Sequence, residues 1–283
     1  MTKSEIVQTA RGPVEYTRLG SGPVVLVCHG TSSDCFSSCF TRELVASGFT
    51  VLTPSRPGYG RTPLSVGLTA VDSADALASL LDALDIPDCA VMGLSGGGPT
   101  AVALAACHPA QVKRLVLLCA LTRPEQRVSE PGYREQMAFY GPMHSVMWAM
   151  LGLMSRLSPP SIARQTMSIF STHDTADVMR TLSPGDRQSI CKFYQGHSSR
   201  RGALNDATHT VGAPTLAAVH QPSLIVHSRE DRSVPFTHAE WSMQHIPHAQ
   251  LCEAGATGHF LWVGPDASRI SSRLVTFLRD SDI

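Results

Sequence analysis

A chain of 283 residues, 43% of them hydrophobic and 16% charged, carries enough apolar material for one sizeable core with an insertion, but little for two independent domains. Its 23 basic and 23 acidic residues cancel, so no basic face stands out to neutralise phosphates or meet an anionic membrane surface, and nucleic acid and membrane are set aside as partners. The first residues lack the apolar stretch and cleavage site of a secretory signal, and no later run approaches the roughly 20 apolar residues of a membrane span. With eight cysteines and no CxxC pair or zinc-like cluster, the expectation is a soluble, cytoplasmic protein with buried or free thiols.

Along the chain, Val14 to Leu19 reads as an edge strand, closed by the turn Gly20-Ser21-Gly22-Pro23. Val24 to Cys28, Thr50 to Thr53, Cys89 to Gly93, Val112 to Cys119, Ser223 to His227 and Gln250 to Glu253 follow as strands, most of them apolar almost throughout. Uninterrupted apolar strands fit a parallel sheet covered by helices on both faces; a sheet with one wet face would alternate. The intervening helices are Asp72 to Leu84, Gly97 to His108, Phe236 to Gln244 and Asp266 to Leu278, the first with Leu77, Leu80, Leu81 and Leu84 on one stripe. Cys35 and Cys39, four apart, would share one face of a helix, so a disulfide or soft-metal site is weighed against ordinary packing.

The strand rhythm stops after Cys119. From about Thr122 to Thr215 the chain is rich in Met, Pro, Ser and Arg, which reads as an inserted helical cap over residues 122–215, with the α/β core formed by 1–121 and 216–283. Seven of the ten methionines (137, 143, 147, 150, 154, 167 and 179) fall in this stretch, beside Phe139, Tyr140 and Trp148; thioethers of this kind line an adaptable apolar pocket or fill a small core.

Chemistry concentrates first at Gly93-Leu94-Ser95-Gly96-Gly97, a G-x-S-x-G run between an apolar strand and a helix. A serine on so tight a turn needs small neighbours, and the turn exposes its hydroxyl. The helix that follows aims free N–H groups at the same point, where developing negative charge is stabilised. Cys28-His29-Gly30-Thr31 leaves the carboxyl edge of the first central strand, the edge at which open α/β sheets bind ligands.

At these residues the sequence resembles the α/β-hydrolase superfamily, over residues 14 to 121 and 216 to 280. The resemblance implies an α/β-hydrolase fold, a mostly parallel sheet flanked by helices. It assigns Ser95 as nucleophile and the backbone N–H groups of Thr31 and Gly96 as oxyanion-hole donors; His29 is left as a structural imidazole. Ser228-Arg229-Glu230-Asp231-Arg232-Ser233-Val234-Pro235 is similar to the family's G-x-x-D-x-x-V-P segment, with Ser228 in place of glycine, and puts Asp231 rather than Glu230 on the acid. Gly258-His259-Phe260, after the last strand, resembles the terminal G-H-F signature and makes His259 the base, completing the order Ser, acid, His. Ser55-Arg56-Pro57-Gly58-Tyr59-Gly60-Arg61-Thr62 matches a structural loop of the family, except that Ser55 stands where an aspartate is usual.

The expected activity is a serine hydrolase cleaving a carboxylic ester or lactone of a small apolar molecule through an acyl-enzyme, with no metal or organic cofactor required. Carbon–carbon bond hydrolysis, perhydrolysis and amide cleavage are related chemistries on the same triad. Readings of another class are a ligand receptor with a vestigial triad, and a lyase or cofactor-free oxygenase using His259 as base. Of the remaining histidines, His144, His173, His197 and His209 lie in the insertion, where contact of one of them with substrate is weighed against a solvated surface imidazole for each.

Overall fold

The computed structural model describes residues 3–123, 139–255 and 257–280. Among these, one eight-stranded sheet runs in the order β1 (Glu5–Thr9), β2 (Gly12–Leu19), β4 (Thr50–Pro54), β3 (Val24–Cys28), β5 (Cys89–Leu94), β6 (Val112–Leu118), β7 (Ser223–Ser228) and β8 (Ala249–Ala254). The β1–β2 and β2–β4 pairs are antiparallel, and every later neighbour pair is parallel. The helices in chain order are α1 (Thr41–Ala46), α2 (Ala70–Ala83), α3 (Gly98–Cys107), α4 (His144–Leu157), α5 (Pro159–Phe170), α6 (Thr175–Thr181), α7 (Pro184–Gln195), α8 (Arg200–Asp206), α9 (Ala213–Ala217), α10 (Thr237–His245) and α11 (Ala267–Arg279).

The apolar strands are explained by cores on both faces of the sheet. Successive side chains of β6 point to opposite sides: Leu115 and Leu117 join the core packed by α2 and α3, while Val116 and Leu118 join the one closed by α1 and α11. Helix α2 starts where its side chains can satisfy the free N–H groups of its first turn: the Thr69 hydroxyl accepts from the Asp72 N–H, and the Asp72 carboxylate accepts from the Thr69 N–H. Helix α11 buries Ile270, Leu274 and Phe277, one stripe at fourfold and threefold spacing. Among the described residues no helix is long and apolar enough to cross a membrane.

Two expectations are corrected. The strand Val14 to Leu19 is not the edge, because β1 pairs outside it (Glu5 opposite Tyr16, Val7 opposite Val14); β1 is largely exposed and so carries little apolar signal. Cys35 and Cys39 share no helix face, since α1 begins only at Thr41, after Phe40 turns the chain with a φ of 53°. Both are buried free thiols, held by ordinary packing: the Cys35 carbonyl accepts from the Thr17 hydroxyl and its N–H donates to Ser55 Oγ. Of the eight cysteines, Cys107 is the exposed one.

Between β6 and β7 the described elements are all helical. Met167 and Met179 are buried with Ile190, Phe260 and Val263 in a small core of their own, while Met143, Met150 and Met154 face outward. Of the two roles expected of these methionines, core filling describes Met167 and Met179, while the other three meet solvent; Met147 is half-buried, and Met137 lies outside the described residues. Removing three carbons from the wholly buried Leu115 leaves a cavity in a covered sheet, so Leu115→Ala is expected to lower the unfolding free energy by about 2–5 kcal/mol in urea titrations.

Candidate active site

Four neighbouring strands deliver the site at their carboxyl ends. Ser95 follows β5, Cys119 follows β6, Asp231 lies just beyond β7 and His259 beyond β8, and parallel register keeps these ends level. Ser95 has a φ of 50° in the left-handed region and is partly exposed, although the residues on either side are buried. Its carbonyl accepts from the Leu121 N–H at 3.0 Å, which ties the turn to the end of β6. The neighbouring glycines are required by contact: a Cβ on Gly93 would lie 2.6 Å from Ala101 Cβ, and one on Gly97 would lie 2.2 Å from the Cys28 carbonyl oxygen.

Asp231 is buried and fully engaged. Its Oδ1 accepts from the N–H groups of Ser233 and Val234, both at 2.8 Å, and its Oδ2 meets His259 Nδ1 at 2.6 Å. His227 lies behind it at 3.6 Å, with Nε2 also 2.8 Å from the Val234 carbonyl oxygen. Burial alone would raise the Asp231 carboxyl; the facing His259 ring and its hydrogen bond, then His227 and the Val234 N–H, outweigh this and hold it below the ordinary carboxylate value. Glu230, the competing carboxylate, turns away to the Thr172 hydroxyl.

His259 is held from the insertion as well as from β8. Its ring stacks on Phe170, with centroids 5.6 Å apart. Its N–H donates to the Phe170 carbonyl, which also accepts from the Arg232 N–H, so the end of α5 clamps the Asp231 and His259 loops together. Gly258, at φ 70°, has no room for a Cβ, which would lie 2.4 Å from that same oxygen. Ala256 of this loop lies outside the described residues. The structure thus joins Asp231 to His259; among the described residues no hydrogen bond joins His259 to Ser95.

Thr31 stands beside Gly96: a Cβ on Gly96 would lie 2.1 Å from Thr31 Oγ1. Among the described residues the Thr31 N–H makes no hydrogen bond within the protein, and the Gly96 N–H falls in the first turn of a helix, where it has no intrahelical partner. His29 is structural, as expected. Its Nε2 accepts from the Arg56 N–H and its Nδ1 lies 2.8 Å from the Gly30 carbonyl, which fixes the Nδ1–H tautomer; burial and the Arg56 charge push its pKa down to about 3.

Several residues around the site are not singled out by the sequence reading. Arg56 and Asp206 form a bidentate ion pair at 2.6 and 2.7 Å, each side chain 1% exposed. Asp206 Oδ2 also accepts from the hydroxyls of Tyr59 at 2.7 Å and Thr31 at 2.8 Å. Arg56 offsets the burial cost and keeps the Asp206 carboxyl below its ordinary value. Cys119, at φ 42°, places its sulfur in a group with the Asp231 carboxylate and His259 ring whose ligating atoms lie within 4.8 Å of one another. Burial, and the negative charge of Asp231 beside it, push the Cys119 thiol well above its ordinary value. Of the insertion histidines, His144 is buried with Nε2 on Ser198 Oγ, and His209 lies 3.9 Å from Asp206. His173 stands 3.8 Å from Glu230 and His197 stands 3.5 Å from Asp34.

Residues 23–263 match the profile of the alpha/beta hydrolase fold. The chain is 30% identical over 270 residues to the uncharacterized hydrolase YcgS of Bacillus subtilis strain 168, covering 94% of this chain and 95% of that protein. It is 30% identical over 219 residues to the pimeloyl-[acyl-carrier protein] methyl ester esterase of Aromatoleum aromaticum, covering 75% of this chain and 81% of that one. Among solved structures, an alpha/beta hydrolase fold protein from Nakamurella multipartita superposes with a TM-score of 0.82 at 27% identity, over 98% of this chain and 99% of the other. Relatives of this kind support a hydrolytic enzyme.

The buried groups set an acid sensitivity. His29 and His227 refuse protons in the native state that an unfolded histidine accepts below about pH 6.5, and Asp206 and Asp231 do the same below about pH 3.9. Because the unfolded chain binds more protons on both counts, stability is full above about pH 6.5 and declines as the pH falls. Urea midpoints at pH 7.5, 5.5 and 4 should fall in that order; equal midpoints at 7.5 and 5.5 would contradict the histidine assignment.

Proposed function

Because the chain belongs to the alpha/beta hydrolase fold family, we propose that it is a serine hydrolase that cleaves a carboxylic ester or lactone of a small apolar molecule through an acyl-enzyme. The observation that carries this reading is the left-handed Ser95 at the same sheet edge as the 2.6 Å Asp231–His259 pair. With Nδ1–H donated to Asp231, the lone pair of His259 Nε2 is left for the Ser95 proton. A substrate that completes the Ser95–His259 contact fits the common tightening of such bonds on binding.

In the first half-reaction, Ser95 Oγ attacks the carbonyl carbon as His259 takes its proton, and Asp231 stabilises the imidazolium. Negative charge collects on the former carbonyl oxygen, facing the N–H groups of Thr31 and Gly96. Collapse of this intermediate expels the alcohol, or opens the lactone, with the proton from His259. Water then enters by the same route and releases the acid and Ser95. Residues 122–215 serve as the cap, and the Phe170 ring stacked against His259 gives the substrate an apolar wall. An ester substrate accords with the methyl ester esterase among the relatives.

Ser95→Ala and His259→Ala are each expected to lower kcat on short-chain aryl esters by about 10³- to 10⁶-fold, and Asp231→Asn by about 10⁴-fold, with folding unchanged by circular dichroism. A fluorophosphonate should add once per chain, with the mass located on Ser95. A folded sample that takes up no label and turns over no ester or lactone in a broad panel would overturn the reading.

A further inference from the structure

The Thr31 hydroxyl and the Asp206 carboxylate are 175 residues apart in sequence and 2.8 Å apart in space. Thr31 leaves the end of β3, and Asp206 is the last residue of α8, in the helical stretch between β6 and β7. The contact sits against the turn that carries Ser95: a Cβ on Gly96 would fall 2.1 Å from Thr31 Oγ1 and 3.3 Å from Asp206 Oδ2. A bare carboxylate here would repel an oxyanion, but Arg56 binds both its oxygens and also donates from Nε to the His29 carbonyl at 2.8 Å. The pair therefore acts as a neutral, rigid post. Tyr59 braces it through its hydroxyl, and Gly202 of α8 lies so close to the Tyr59 ring that a Cβ would come within 2.5 Å.

We propose that Asp206 is a positioning residue for the oxyanion site: by accepting from the Thr31 hydroxyl it fixes the loop that turns the Thr31 N–H toward the reacting carbonyl. This inference rests on the serine hydrolase reading above. It makes the inserted helical segment a working part of the oxyanion hole as well as a cover for substrate. A donor held off its proper angle loses transition-state binding while leaving ground-state binding largely alone, so the effect belongs in kcat.

Asp206→Asn strands a buried guanidinium and can fail to fold, so the main test is Thr31→Val, which removes the hydroxyl and keeps the backbone N–H and the Arg56–Asp206 pair. Active sites are counted by fluorophosphonate uptake, and kcat per labelled site, KM and Tm are measured on an aryl ester. The expected result is a loss of at least tenfold in kcat per site, with KM within twofold and Tm within a few degrees, and Thr31→Ser recovering part of the loss. If kcat per site stays at the wild-type value, whether Tm falls or not, the proposal is overturned and the contact is structural only. Wild-type protein that takes no label at all overturns the hydrolase reading instead, which separates the two failures.

Discussion

A non-glycine residue held in the left-handed region costs about 1–3 kcal/mol, and that conformation persists only where the surroundings over-determine it. At Ser95 they do. Strand β5 is locked between β3 and β6, the residues Gly98 to Ala105 that open α3 are all buried, and the Ser95 carbonyl is tied to the end of β6. Gly97 lets the start of the helix press on the Cys28 and His29 carbonyls, and through them on the loop that carries Thr31. The exposed hydroxyl, the first-turn N–H of Gly96 and the approach of Thr31 all follow from that single backbone turn.

Much of this was legible in the sequence because each signal is local. A glycine-flanked serine between an apolar strand and a helix, a carboxylate three residues ahead of Val234, and a histidine between Gly258 and Phe260 each announce a loop geometry within a few residues. The sheet was legible for a similar reason, since burial on both faces leaves strands with no polar alternation. What escaped is what depends on contacts made late in the chain. Nothing near Asp206 indicates that it faces Arg56, nothing near Phe170 indicates that its carbonyl receives two loops, and Cys119 reads as the end of a strand when it stands beside Asp231 and His259. The six residues of α1 bury only Leu44, too little for a helical period to register.

The departure at Ser55 has a structural answer. Its hydroxyl donates to Glu15 Oε2 at 2.9 Å, and that buried carboxylate also accepts from the Arg61 N–H and side chain. The negative charge expected on the loop is thus supplied across the sheet from β2, where Glu15 is 4% exposed. The loop keeps its shape, and Arg56 keeps its place beneath His29, with the acid moved from one strand to another. Arg56 is in this way fastened on the core side before it meets Asp206, and the buried pair becomes a fixed pivot between the two parts of the chain.

The distribution of thiols has a practical side. Seven of the eight cysteines are buried, and burial pushes Cys28, Cys35 and Cys89 to about 12, so at neutral pH they hold their protons and offer little nucleophile to an alkylating reagent. Cys107, at the far end of the helix that begins beside Ser95, is the exposed exception. A maleimide dye would therefore find one address on the native fold, on the helix that follows Ser95 and some ten residues away from it, with no cysteine needing to be engineered in or out.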